Sequence, residues 1–210
     1  MITVYSLSAF RPEIKGLIRD IRAVWALEEL GLTYTRKILD PKTREHKQPA
    51  FLSLNPFGKV PAITDDGFTL YESFAICTYL ADKVGMLIPK PLTPERAIYN
   101  QWSAFAVSTL EPVAARVVNF DYFTAKDATT EKLRKDTVDI VDGFFKVLNT
   151  ELTQRPFILG ESFSVADILL CSVCRYVGHT PLAERHPTLH AYLESAFRRP
   201  AFLRAFENNG

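Results

Sequence analysis

Cysteine is scarce in this chain: Cys77, Cys171 and Cys174 are the only three among 210 residues. So low and odd a count argues against a small secreted scaffold held together by disulfides. An excess of either charge is missing too. Lys and Arg number 25 against 24 Asp and Glu, a net charge of +1, so no general field draws the chain to nucleic acid or an anionic membrane. No run of about 18 apolar residues offers a bilayer span. The first residues, Met1-Ile2-Thr3-Val4-Tyr5, show no basic stretch leading into an apolar one, so no signal peptide is expected and a reducing cytoplasm is the default. Neither an internal repeat nor a low-complexity segment is visible. What remains is an ordinary globular composition, 47% apolar and 23% charged, in a chain long enough for two modest domains with cores of their own.

The first third alternates strand and helix signals. Residues 2–7 are β-branched and aromatic, a short buried strand. Asp20 stands where it can cap a helix over residues 21–30, with Ala23, Leu27 and Leu30 on one face and Gly31 to end it. Residues 33–39 read as a second strand, giving a βαβ unit and a parallel pair. Pro41 interrupts, and a short helix is predicted over residues 43–52. Asp65-Asp66-Gly67 reads as a hairpin turn into a strand over residues 68–71. Ser73 is placed to cap a helix through Val84, closed by Gly85. The order β-α-β-α-β-β-α predicts an α/β domain over residues 1–86.

Residues 87–92 read as a stiff linker, within a proline-rich stretch that runs to Pro94. Residues 93–210 then read as all helical. Thr93 with Pro94 at the first helical position starts a long helix towards Phe120. Thr130 followed by Glu131 starts another, to about Gln154. Ser164-Val165-Ala166-Asp167 is a capping box with Asp in place of Glu. It opens a helix apolar on almost every side, which should be the buried centre of the second domain. Shorter helices are expected near residues 187–196 and 200–206.

Four stretches resemble the cytosolic glutathione S-transferase family, in its bacterial or theta-like form. They are Trp25-Ala26-Leu27-Glu28-Glu29-Leu30-Gly31-Leu32, the run from Pro49 through Asn55-Pro56-Phe57-Gly58-Lys59-Val60-Pro61-Ala62, Phe68-Thr69-Leu70-Tyr71-Glu72-Ser73-Phe74-Ala75-Ile76, and Phe163-Ser164-Val165-Ala166-Asp167-Ile168. Each alone is weak, but their order along the whole chain is specific. The resemblance implies a thioredoxin-like N-terminal domain that holds glutathione and an all-α C-terminal bundle that shapes the electrophile pocket. It also implies a homodimer, and Phe57, a large apolar residue in a loop, is placed to dock on the second copy; no metal, nucleic-acid or membrane partner is expected.

Glutathione presents an ammonium, two carboxylates and a central peptide unit. By resemblance, Pro61 is the family's cis-proline, and Val60 turns its main-chain N–H and C=O outward to pair with the cysteinyl backbone. Ser73, at a helix N-terminus, suits the γ-glutamyl carboxylate, and Glu72 suits the ammonium. His46 and Lys59 are similar to the family's cations for the glycine carboxylate, with Lys47 as the substitute for His46. Outside the resemblance, Val-Pro-Ala is an ordinary loop, Glu72-Ser73 a plain helix cap, and His46 solvated surface.

Catalysis requires the glutathione sulfur as thiolate, and a free thiol titrates near 8.5. The family places a Ser, Cys or Tyr donor at the end of the first strand or just before the first helix. Here Leu17, Ile18, Arg19 and Asp20 adjoin that helix, and none is the usual donor. Tyr5, Ser8 and Arg19 are the candidates, against readings as core, loop and salt-bridge residues. The segment from Phe10 to Gly16 is placed to cover the site. Cys171 and Cys174 form a Cys-x-x-Cys, but inside an apolar helix, where buried structural cysteines are expected. Trp102, Phe105, Ser108, Arg116, Tyr122, Arg175 and Tyr176 are candidates for the electrophile pocket by position. The sequence therefore supports a glutathione transferase, with a glutathione-dependent isomerase and a non-catalytic binding or assembly module as alternatives.

Overall fold

The strand β1 (Ile2–Leu7) is the spine of a four-stranded sheet. Its alternation buries Ile2, Val4 and Ser6 on one face and half-buries Thr3, Tyr5 and Leu7 on the other. The computed structural model describes residues 1–9 and 11–207. The helix α1 (Asp20–Glu29) crosses over to β2 (Tyr34–Leu39), which pairs with β1 in parallel. After the short α2 (Pro49–Leu52), β3 (Ala62–Asp65) runs antiparallel to β1 and turns through Asp66-Gly67 into β4 (Phe68–Tyr71). The sheet order is β2-β1-β3-β4, and α3 (Ser73–Val84) follows. This is the expected thioredoxin-like α/β architecture.

Three local expectations change. Asp20 does not cap α1. It occupies the first helical position, fully buried, where its carboxylate takes the Arg36 guanidinium at 2.8 Å. Arg36 also donates to the hydroxyl of Ser6 at 2.7 Å. Burial pushes the Asp20 carboxyl up while Arg36 holds it down. Ser73 likewise is the first residue of α3, not its cap, and the cap position is Glu72. The helix predicted over residues 43–52 is split into a 3₁₀ turn, Glu45–Lys47, and α2, because Pro49 starts a new helix after an extended Gln48.

The helical half begins as expected, with the Thr93 side chain accepting from the Arg96 N–H and Pro94 opening α4 (Pro94–Ala104). A π-helical turn, Phe105–Leu110, leads without a break into α5 (Glu111–Tyr122). Pro112, in the first turn of α5, has no N–H to give to the ladder, and the wider turn before it absorbs that loss. The next helix, α6 (Ala128–Leu152), is capped by Asp127, one turn earlier than Thr130. The helix α7 (Val165–Cys174) is buried at every position and starts with the predicted capping box. There Asp167 accepts from the Ser164 N–H at 2.8 Å, the Ser164 hydroxyl at 2.6 Å, the Ile158 N–H at 2.8 Å and the Tyr192 hydroxyl at 2.8 Å. Tyr192 comes from α8 (Pro187–Phe197), so one carboxylate joins a loop, the start of α7 and a third segment. Cys171 and Cys174 are buried in α7 and not joined in a disulfide, and burial pushes the Cys174 thiol far up. No described helix is long and apolar enough to cross a membrane.

The chain divides into two compact units, Met1–Ile88 with the segment from Arg198 onward, and Pro89–Phe197. The last helix, α9 (Pro200–Glu207), thus differs from its sequence assignment to the helical half. Phe202 meets Trp25 edge-on at 4.8 Å. Arg199 grips Glu29 through two bonds of 2.6 and 2.8 Å, and Arg204 donates to Glu28 at 2.6 Å. An apolar face and two paired acids on α1 hold α9 to the sheet unit.

Candidate functional site

The loop from Asn55 into β3 is built around one buried amide. Asn55 donates to the Lys59 carbonyl at 2.7 Å, accepts from the Phe57 N–H at 3.1 Å, and its own carbonyl takes the Gly58 N–H at 2.9 Å. Gly58 sits at φ +57, where a side chain would lie 2.6 Å from the His46 carbonyl. Lys47 donates to the Phe57 carbonyl at 3.0 Å, so the proposed substitute cation is engaged in holding this loop. Lys59 is exposed. The Val60–Pro61 peptide is cis. Val60 packs with Tyr5, Leu7, Leu54 and Tyr71 on a small core of Leu39, Phe51 and Ala62.

His46 is half-buried and its Nδ1 is enclosed without a hydrogen-bond partner. Burial first, then Lys47, Arg44 and Lys59, push its pKa below the ordinary 6.5. At neutral pH the imidazole is uncharged, whereas Lys59 is an exposed cation. The folded state resists a proton that the unfolded chain accepts, so His46 costs stability as pH falls from about 6.5 through its lowered pKa. The His46→Gln variant is expected to lose less thermal stability than the parent between pH 7.5 and 5. Identical pH profiles would show that His46 does not titrate this way.

The hairpin register sets Ala62 opposite Tyr71. The Val60–Pro61 peptide and the Glu72-Ser73 pair therefore flank the same end of the β3–β4 ladder. Glu72 is exposed and bends the chain at φ 72, ψ 116. A non-glycine residue there costs on the order of 1 kcal/mol, the kind of strain that collects at functional sites. Ser73 follows, 6% exposed, at the start of a 12-residue helix whose first N–H groups have no intrahelical partner. Its Oγ accepts from the Arg22 guanidinium at 3.1 Å.

The three thiolate-donor candidates lie apart in kind. Tyr5 is inside β1, opposite Ala62 and beside Lys37, with its ring 5.7 Å from Phe51 and 5.7 Å beneath the Lys37 ammonium. Ser8 is half-buried just past the strand, its N–H given to the Leu39 carbonyl at 3.2 Å. Arg19 is exposed at the cap of α1. In the connecting segment Pro12–Ile14 forms a 3₁₀ turn, while Phe10 lies outside the described residues.

Residues 14–82 match the glutathione S-transferase N-terminal domain, and residues 110–200 match the glutathione S-transferase C-terminal domain. The chain belongs to the glutathione S-transferase family. Two plant transferases of Arabidopsis thaliana are similar to this transferase. Glutathione S-transferase F13 is 30% identical over 76% of this chain and 77% of its own, and F9 is 27% identical over 86% and 88%. Among solved structures, a family member from Pseudomonas fluorescens with two glutathione bound has TM-score 0.86 at 29% identity, covering 98% of this chain and 92% of its own. A Burkholderia graminis transferase with two glutathione molecules per subunit has TM-score 0.86 at 30% identity, covering 98% and 87%.

Sequence reasoning missed two residues that shape the surroundings of the candidate site. Arg22 is the larger, a charged residue 1% exposed at the start of the apolar middle of α1. Its only signal is being the one cation in the run from Ile21 to Leu27. The other is Asn55, named as part of a motif but not as the knot of the loop. In the helical unit, Trp102 and Phe105 meet edge-on at 5.7 Å, and Phe105 meets Phe144 at 5.6 Å. Ser108 and Arg116 are exposed, Tyr122 leans on His179, Arg175 lies over Phe197, and Tyr176 donates to Glu111 at 3.4 Å. Among the described residues no group of three or more His, Cys, Asp or Glu is placed to hold a metal ion.

Proposed function

We propose that this transferase binds glutathione on its sheet unit, ionises the thiol and adds the thiolate to a small hydrophobic electrophile. The observation that carries this is the hairpin register, which sets the Val60 backbone and the first turn of α3 at one end of the ladder. Val60 offers main-chain groups to the cysteinyl unit as an added strand would. Ser73, with the helix N-terminus, takes the γ-glutamyl carboxylate. Exposed Glu72 takes the ammonium, and Lys59 takes the glycine carboxylate with His46 beside it. The glutathione in the Pseudomonas and Burkholderia structures supports this ligand. Those bacterial neighbours, and His46 nine residues before Asn55, support a bacterial or theta-like subclass. The helical unit supplies the electrophile pocket, and the protein pairs with a second copy through Phe57, which is 64% exposed and edge-on to Tyr71.

The protein is expected to be retained on immobilised glutathione and released by the free tripeptide. No binding at millimolar glutathione would leave a non-catalytic module as the reading. With binding shown, aryl halides, enals and peroxides identify the reaction class. Among Tyr5→Phe, Ser8→Ala and Arg19→Ala, the donor is the one whose loss moves the rate profile towards higher pH. A donor hydrogen bond to the thiolate is what holds the sulfur's pKa down.

A further inference from the structure

Arg22 has no place in the reaction as read so far, yet it is the largest charged side chain in the core. Its position is set with care by its neighbours. The Asp20–Arg36 ion pair and the Ser6 hydroxyl pin the first turn of α1 to β1 and β2. Two residues later the helix points Arg22 at α3, where one guanidinium nitrogen reaches the Ser73 hydroxyl. One turn further into α3, the buried Cys77 thiol is pushed up to about 12 by burial, and Arg22 pulls against that shift. Arg22 thus lies beneath the N-terminal turn of α3, on the side away from solvent.

The consequence follows from the hydroxyl's inventory. Serine has one proton to give and lone pairs to accept with. An arginine never gives up its charge in a protein and has no acceptor, so it can only donate. With a lone pair of Ser73 occupied by Arg22, the serine proton is free to point elsewhere, and donation to one side polarises donation on the other. We propose that Arg22 is a positioning residue for glutathione, acting through Ser73 by aiming the serine proton at the γ-glutamyl carboxylate. This rests on the glutathione-binding reading above and adds a residue that never touches the ligand.

Calorimetric titration tests it with two probes, glutathione and 4-aminobutanoyl-cysteinyl-glycine, which lacks only the γ-glutamyl carboxylate. The parent protein must first bind glutathione, and failure there overturns the glutathione reading and this inference together. Given parental binding, Arg22→Gln is expected to weaken glutathione about tenfold, the scale of a hydrogen bond to a charged group. It should leave affinity for the decarboxylated probe within about twofold, and kcat at saturating glutathione likewise. Added to Ser73→Ala, it should cost almost nothing more, because residues acting through one another are non-additive. Equal weakening of both probes, or full additivity with Ser73→Ala, would reduce Arg22 to a structural role and overturn the proposal. Should Arg22→Gln fail to fold, Arg22→Lys run through the same two probes and the same double variant decides it.

Discussion

Replacing Asp167 by alanine should remove about 3–5 kcal/mol of stability, because buried donors that lose their acceptor cost on the order of 1 kcal/mol or more each. Four donors converge on that carboxylate: the Ser164 N–H and hydroxyl, the Ile158 N–H and the Tyr192 hydroxyl. Alanine would take this acceptor from all four, each loss a separate penalty. At about 2–4 °C per kcal/mol for a protein of this size, the thermal midpoint should fall by roughly 6–20 °C. Asp167→Asn keeps the shape but turns one acceptor into a donor, so its loss should fall between alanine and the parent. Because the carboxylate lies in the helical unit, near-ultraviolet dichroism of that unit should change first as urea is raised. A midpoint within 2 °C of the parent for alanine would mean that the network is not what holds the start of α7.

Gly58→Ala is expected to be the most damaging single change in the sheet unit. Two costs combine. At φ +57 any side chain is strained by about 1–2 kcal/mol. In addition the new carbon would sit 2.6 Å from the His46 carbonyl oxygen and 2.8 Å from the Lys47 ammonium. The lysine can move, but the carbonyl is backbone, so the loop from Asn55 to Lys59 must shift and carry Val60 with it. Urea unfolding should show a loss of about 2–4 kcal/mol, and glutathione affinity should drop at least tenfold, since small misplacements of positioning groups are costly. Gly31 and Gly85 provide the control. Their φ values are +64 and +75, but an added carbon meets nothing within 4 Å. Alanine there should cost the strain alone and leave glutathione binding unchanged. If all three variants behave alike, close approach at Gly58 is not a constraint on the site.

These two positions also separate what was readable in the sequence from what was not. The capping box at Ser164 was legible because it is local: both partners lie within four residues, and the pattern needs only a helix start. That Ile158 and Tyr192 would join the same carboxylate was not legible, since a loop before α7 and a helix after it had first to be brought together. Strand and helix order was legible from periodicity. The division at residues 43–52 was misread because Pro49 fits a helix interior badly and a helix start well, and apolar spacing does not distinguish the two. Asp20 was read as a cap from its residue type. Its burial against Arg36 requires β2 to lie beside β1, a pairing across 16 residues that no local signal encodes.

The sequence by itself determined the family, the order of elements and the identity of the groups proposed to hold glutathione. Those follow from side-chain type and short spacing, which are properties of the chain before it folds. Only the tertiary structure decided that α9 returns to α1, that Lys47 is engaged by a loop carbonyl while Lys59 stays open, and that Arg22 lies under Ser73. Each of these depends on which distant surfaces exclude water together. Burial is a property of the packed molecule, and it is burial that turns an ordinary arginine in a helix into a fixed donor to the Ser73 hydroxyl.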